Sequence, residues 1–227
     1  MAVAGAGRMG QAVKQAIENT GGVQLAGIWS RGESLQKIVA GADVLIDFSL
    51  PAATAEVLAV ADKQRLPLVC GVSGLDSEQM RALQETAQQI PLVFDRNMSQ
   101  GISVLSELAG RAARSLGAEF CAAIHEVHHV HKIDAPSGTA LQLGERIVTA
   151  RATGEAGDAV RYTYERRGEV PGDHTITFSS PSETLTLGHS VSNRSVFAAG
   201  ALRAARWVIL QPPGLYRMRD VLFAGDE

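Results

Sequence analysis

Two stretches of this 227-residue chain hold residue types at spacings that could do chemistry. The denser one is His125-Glu126-Val127-His128-His129-Val130-His131-Lys132, which contains four of the six histidines. It runs on through Ile133-Asp134-Ala135-Pro136-Ser137-Gly138-Thr139-Ala140. Three chemistries compete for it. A metal site would use His125, His129 and His131, which share one face if the segment is a strand. Histidines at i, i+4 and i+6 along a strand are spread too far to meet one tetrahedral ion, and no second ligand cluster accompanies them. A solvated polar strand is the second reading. The third, which we favour, is a proton-donor site. Pro136 and Ser137 stand just before Gly138 and Thr139, where a helix begins, so a capping hydroxyl and exposed N–H groups are expected. Such a helix start binds a carboxylate. Lys132 and the histidines place cationic and imidazole groups beside it. That set suits proton delivery to a small anionic substrate that accepts a hydride into a polarised double bond.

The second stretch is Gly5-Ala6-Gly7-Arg8-Met9-Gly10, a GxGxxG that follows a strand-like Ala2-Val3-Ala4 and opens a helical pattern. In that context Gly5 makes the tight turn, Gly7 lets the backbone approach a pyrophosphate, and Gly10 lets helix and strand pack closely. Dinucleotide folds read the ribose at the end of the next strand. Here that end is Trp29-Ser30-Arg31, with no acid before Glu33. A hydroxyl and a guanidinium suit a 2′-phosphate, so NADPH is expected to be preferred over NADH. Gly71-Val72-Ser73-Gly74 and Asn97-Met98-Ser99 fall at further strand ends and are expected to line the same cleft.

The elements that must position these residues alternate over the first hundred residues. Strands are expected at Ala2–Ala4, Val23–Trp29, Val44–Phe48, Leu66–Cys70 and Leu92–Phe94. Helices are expected over 9–18, from Pro51 to about Ala61, and from a capping box at Asp76 and Gln79 to about Gln89. This order predicts a parallel, doubly wound sheet. Beyond residue 100 a helix carries Ile102, Leu105, Leu108, Ala109 and Ala112 on one face. A strand over 119–129 and a helix over 138–150, with Leu141, Gly144, Ile147 and Val148 inward, come next. Strands at 160–165, 174–179 and 184–191 then follow without helices, with a turn at Pro181-Ser182, and imply a second sheet. Val196–Leu210 and Tyr216–Leu222 read as helical. The expected fold is α/β: a Rossmann domain over 1–98, completed by 195–227, and an α+β domain with a mixed sheet over 99–194, which carries the proton-donor segment and binds substrate.

Composition limits the function classes. Apolar residues make up 45% and charged residues 20%, and the formal net charge is -3. No basic run suggests nucleic acid, and no apolar run approaches the ~20 residues of a membrane span. No secretory pattern precedes the glycine loop, so a cytoplasmic protein is expected. Cys70 and Cys121 form no CxxC pair, lie in apolar runs, and are expected to be buried thiols.

The stretch from Glu126 to Ala140 resembles the signature of the dihydrodipicolinate reductase (4-hydroxy-tetrahydrodipicolinate reductase) family. The similarity extends from Val3 almost to the C-terminus and includes Gly71 to Gly74, Asn97 to Ser99 and Ser192-Asn193-Arg194. The resemblance implies reduction of a small cyclic dicarboxylate with NADPH or NADH, in lysine and diaminopimelate biosynthesis. It implies His128 as proton donor or acceptor and Lys132 as second proton donor. His129 would contact substrate, and Gly138 with Thr139 would hold its carboxylate. Arg31 falls where the family contacts the adenosine phosphate, and Gly71, Val72, Ser73, Asp95, Arg96, Asn97 and Met98 fall among its cofactor loops. No resident metal is implied, and a homotetramer built through the second sheet is. The chain departs from the family pattern in a glycine loop one residue shorter, Ser30 in place of an acid, Asp95-Arg96 in place of a small neutral pair, and a shortened stretch between about 150 and 175. Two rivals remain: another Rossmann imine or amino-acid dehydrogenase, and a non-catalytic nicotinamide-binding sensor.

Overall fold

The computed structural model describes residues 1–151 and 160–225. In chain order the first elements are β1 (Ala2–Ala4), α1 (Arg8–Glu18), β2 (Gly27–Trp29), α2 (Leu35–Ile38), β3 (Leu45–Asp47), α3 (Thr54–Lys63), β4 (Leu68–Cys70), α4 (Ser77–Ala87) and β5 (Pro91–Phe94). There follow α5 (Gln100–Leu116), β6 (Cys121–His128), α6 (Gly138–Arg151), β7 (Arg161–Arg166), β8 (Asp173–Ser179), β9 (Thr184–His189), α7 (Ser195–Val208), β10 (Gly214–Tyr216) and α8 (Met218–Leu222). The chain divides into two compact units: Met1–Gln100 with Arg194–Glu227, and Gly101–Asn193.

The first unit is a six-stranded parallel sheet in the order β10-β5-β4-β3-β1-β2. Its four inner strands are buried on both faces, so they read as continuous apolar runs rather than alternating ones. Ala2, Ala4, Leu45, Leu68, Leu92 and Phe94 pack on one side with Leu35, Val57, Ala61 and Leu83. Val3, Ile46, Val69 and Val93 pack on the other with Val13, Ile17, Ala201 and Val208. The register pairs Ala4 with Trp29 and Asp47, Asp47 with Cys70, and Cys70 with Phe94. The loops after these five strands therefore leave from one edge of the sheet. Strand order reverses between β1 and β3, and such a switch point is where open α/β sheets bind ligands.

Several local expectations are corrected. Regular pairing of the second strand is confined to Gly27–Trp29. Pro51–Ala53 is a 3-10 turn leading into α3, and α2 carried no sequence signal at four residues. Tyr216 is not helical: Gly214-Leu215-Tyr216 pair with Pro91-Leu92-Val93 as a sixth strand, and the helix begins only at Met218. Three residues are too few to show a period. The capping box forms as read, with Asp76 accepting from the Gln79 amide and Gln79 from the Asp76 amide, an arrangement worth about 1 kcal/mol.

The second unit has a four-stranded mixed sheet, β7-β6-β8-β9, in which β6 and β7 are parallel and the other pairs antiparallel. A parallel pair needs a crossover, and α6 lies between its two strands in the chain. Ile102, Leu105 and Ala109 of α5 and Ala140, Leu143 and Ile147 of α6 cover one sheet face with Ile124, Ile176 and Phe178. Leu108, Leu141 and Val148, expected inward, are exposed. Each lies off the apolar stripe that its buried helix neighbours define at about 100° per residue. Cys121, expected buried, is exposed, while Cys70 is buried. Period-two alternation puts Cys121 with His125 on the uncovered face of β6. The first strand of this unit ends at His128, so His129 and His131 do not share a strand face with His125.

Candidate active site

In the first unit, the turn after β1 closes on two carbonyls and the loop after β4 on one ring. Gly5 has φ +103°, and a Cβ there would lie 2.7 Å from the Phe48 carbonyl oxygen. A Cβ on Gly10 would lie 1.7 Å from the Gly5 carbonyl oxygen, and one on Gly71 would lie 2.3 Å from the Phe48 ring. These glycines are required by the protein itself. Gly7 differs: nothing lies within 4 Å of where its Cβ would be, and it caps α1 without a side-chain hydrogen bond. The start of α1 also carries no acid in its first turn. Open backbone at an uncapped helix start fits a pyrophosphate. Ala6, Gly7 and Arg8 are exposed and Met9 is half-buried.

The remaining cofactor candidates fall at the same edge with different exposures. Val72 is buried, and Ser73 and Arg96 are exposed. Asp95 is buried and accepts from the backbone N–H groups of Asn97 and Met218, each at 3.4 Å. Met98 is buried in the core beneath α7. Asp95 and Met98 therefore point into their own unit. Sequence reasoning missed Phe48 and Asp47. Asp47 is buried with one carboxylate oxygen unpartnered, and burial pushes it up to about 6 against the opposing Ser49 hydrogen bonds.

The end of β2 requires a correction. It is not free of carboxylate. Glu33 folds back, and its Oε2 accepts from the Ser30 N–H at 2.9 Å and the Ser30 hydroxyl at 2.6 Å. The loop is fixed further by Trp29 Nε1 donating to the Glu33 carbonyl at 2.9 Å. Arg31 is exposed.

In the second unit, sheet register assembles the chemistry. Glu126 and His128 lie two residues apart on one face of β6. Register places His174 of β8 opposite Glu126, and Arg166 of β7 opposite His128. Glu126 Oε2 is 3.4 Å from His128 Nδ1 and 3.9 Å from His174 Nε2. Glu126 Oε1 accepts from the Ser137 N–H at 3.1 Å and from Arg166 at 3.3 Å. Ser137 caps α6, its hydroxyl accepting from the Ala140 N–H at 3.1 Å. The same carboxylate thus lies against the imidazole with one oxygen and hydrogen-bonds the start of the helix with the other. Arg166 also donates to the Lys132 and Asp134 carbonyls, which fixes the loop between them. Gly172 closes on the ring, since a Cβ there would lie 2.9 Å from His128 Nε2.

Lys132 is mostly buried, and its Nζ contacts both Asp134 carboxylate oxygens, at 2.7 and 2.8 Å. His129 is half-buried, with its ring 6.0 Å from that of the exposed His131. Gly138 opens α6, and nothing lies within 4 Å of where its Cβ would be. Thr139, the next residue, is half-buried. His128, Lys132, Gly138 and Thr139 thus share one unit with Glu126, His174 and Arg166, which sequence reasoning missed. Glu126 had a signal in its i, i+2 spacing to His128. His174 and Arg166 had none, because pairing between distant strands sets their places.

Burial pushes His128 below the ordinary imidazole value; Glu126 opposes this, and Lys132 and Arg166 add to it. His174 is pushed down to about 4 by burial and the neighbouring His128. His174 is therefore neutral at ordinary pH, beside a histidine that lies against the same carboxylate. Glu126, His128 and His174 form the one group of metal-ligating type among the described residues. Arg166 already sets a fixed positive charge on that carboxylate, which opposes a dication.

Comparison with known proteins follows this division of the chain. Residues 1–98 match the family model described as dihydrodipicolinate reductase, N-terminus, and residues 101–222 match its C-terminus. A 4-hydroxy-tetrahydrodipicolinate reductase of Xanthomonas euvesicatoria is 43% identical over 95% of this chain and 94% of its own. One from Alkalilimnicola ehrlichii is 38% identical over 97% of each. Among solved structures, a dipicolinate-bound dihydrodipicolinate reductase from Paenisporosarcina superposes with a TM-score of 0.80 at 21% identity, covering 95% of this chain and 96% of the other. No helix among the described residues is long and apolar enough to cross a membrane.

Proposed function

The chain belongs to the dihydrodipicolinate reductase family, and from that premise we propose that it reduces 4-hydroxy-tetrahydrodipicolinate to tetrahydrodipicolinate in lysine and diaminopimelate biosynthesis. One NAD(P)H and one proton are consumed, and NAD(P)+ and water leave. The observation that carries this reading is the buried Glu126–His128–His174 cluster, joined through Ser137 to the start of α6. It sets an imidazole against the start of a helix, with the Lys132 charge acting on that imidazole, which is equipment for gripping a carboxylate and supplying a proton to the same small molecule.

His128 is the proton donor or acceptor, held by Glu126 and pressed by Gly172. Lys132 is the second proton donor, and Asp134 keeps it positioned until substrate binds. Gly138 and Thr139, at the start of α6, hold one substrate carboxylate, and His129 contacts the substrate. In the first unit Gly5, Ala6, Gly7, Arg8, Met9 and Gly10 hold the pyrophosphate, Ser30 and Arg31 meet the adenosine ribose, and Gly71, Val72, Ser73, Asp95, Arg96, Asn97 and Met98 shape the nicotinamide side. The bound nicotinamide supplies the hydride. NADPH and NADH both serve, and the Arg31 guanidinium favours NADPH. We further propose a cytoplasmic homotetramer built through the uncovered face of the second sheet.

The test is oxidation of NAD(P)H with substrate generated from aspartate semialdehyde and pyruvate by the preceding synthase. Turnover that requires both the synthase product and the reductase supports the reading. Cofactor binding without turnover would favour a sensor, and turnover only with other imines or amino acids would favour a different dehydrogenase.

A further inference from the structure

We infer that Glu33, folded back onto Ser30, reads the adenosine ribose and sets how strongly this protein favours NADPH over NADH. The inference rests on the reading of the first unit as the cofactor-binding one. It begins with position. The Gly5 N–H donates to the Trp29 carbonyl at 2.9 Å, so the glycine loop and the end of β2 are tied together at their first residues. Ser30 is the next residue after that tie. In dinucleotide folds, the group at this strand end meets the ribose that follows the pyrophosphate.

Next comes the arrangement of the acid. Both hydrogen bonds from Ser30 fall on Glu33 Oε2. A carboxylate has about four lone-pair sites, so Oε1 keeps the capacity to accept from a ribose hydroxyl. The Glu33 N–H returns to the Ser30 carbonyl at 3.2 Å and Trp29 Nε1 holds the Glu33 carbonyl, so the acid's backbone is anchored from both sides of Ser30. Glu33 is exposed and open to a ligand. The Ser30 hydroxyl and then its N–H hold the carboxyl below the usual range, so it is charged at neutral pH.

The chemistry then runs in two directions. A charged carboxylate accepts from a 2′,3′-diol and repels a 2′-phosphate. Arg31 does the reverse. The chain thus carries, at position 33, the acid that Ser30 does not supply, and its cofactor preference is the difference between two opposed side chains. A role confined to holding the turn would affect both cofactors alike, because the turn shapes the site for either.

The experiment measures Kd for NADPH and NADH on wild type, Glu33→Gln and Glu33→Ala, at low and high salt, without substrate. Gln keeps the shape and an oxygen acceptor for Ser30 while removing the charge. In Glu33→Gln, NADPH should bind about tenfold tighter relative to NADH, and the shift should shrink as salt rises. Glu33→Ala should move the ratio the same way. A ratio within twofold of wild type in both variants, or equal loss of both cofactors, overturns the inference and leaves the cofactor reading standing. A wild-type protein that binds neither cofactor overturns both.

Discussion

Glu126 Oε2 lies 3.4 Å from His128 Nδ1, and both side chains are more than nine-tenths buried. The two residues are i and i+2 on one strand, so the sheet itself fixes their separation. Glu126 also raises the proton affinity of His128 against the burial that lowers it. Glu126→Gln should therefore lower kcat by about tenfold, with KM for substrate changed little. The limb of the pH–rate profile that reports His128 should move to lower pH, because the negative charge that favours imidazolium is gone. An unmoved limb would limit Glu126 to packing.

Removing the proton donors themselves should cost more. His128→Ala and Lys132→Ala should each lower kcat by on the order of 10²-fold or more. Neither belongs to the glycine loop, so Kd for NAD(P)H should stay within a factor of two. Correctly folded variants that keep near-normal turnover would remove both from the reaction.

The helix start makes a prediction about an inhibitor. Pyridine-2,6-dicarboxylate, the ligand of the structural relative from Paenisporosarcina, should compete with substrate. Thr139→Val, which removes the hydroxyl at the helix start, should weaken it about tenfold, the value of one lost charge-assisted hydrogen bond, while cofactor affinity is kept. Inhibition that competes with cofactor alone would place the carboxylate elsewhere.

Arg31 should act only on the phosphate. Arg31→Ala should weaken NADPH by about one to two decades at low salt and leave NADH nearly unchanged. Isothermal titration with both cofactors decides this. Equal weakening of the two would show that the guanidinium does not meet the 2′-phosphate.

His174 should make the second unit acid-sensitive. Its folded value of about 4 lies below the ordinary histidine value of about 6.5 in the unfolded chain. Between those values the unfolded state binds a proton that the folded state refuses. Stability therefore rises with pH across that window and is lost as pH falls through it, by on the order of a few kcal/mol. Hydrogen exchange of β6 and β8 amides between about pH 4 and 7 should show this slope, and His174→Asn should flatten it. An identical slope in the variant would assign the acid sensitivity to another group.

The sequence by itself determined the alternation of strand and helix in the first unit, the glycine loop, the capping box at Asp76, the strands of a second sheet and the segment that carries His128 and Lys132. These are local: each is written in a period, a turn residue or a contiguous motif. Only the tertiary structure decided that Gly214–Tyr216 completes the parallel sheet, because three residues carry no period and their pairing partners lie more than a hundred positions away. Only it decided that Leu108, Leu141, Val148 and Cys121 face outward, since the face of an element is set by what packs on it. The two site residues with no sequence signal, His174 and Arg166, reach His128 by strand register. Glu33 was visible in the sequence but read as too late to serve the end of β2. A turn brings its carboxylate back to Ser30 at 2.6 Å, and spacing along a chain does not reveal a distance that a turn closes.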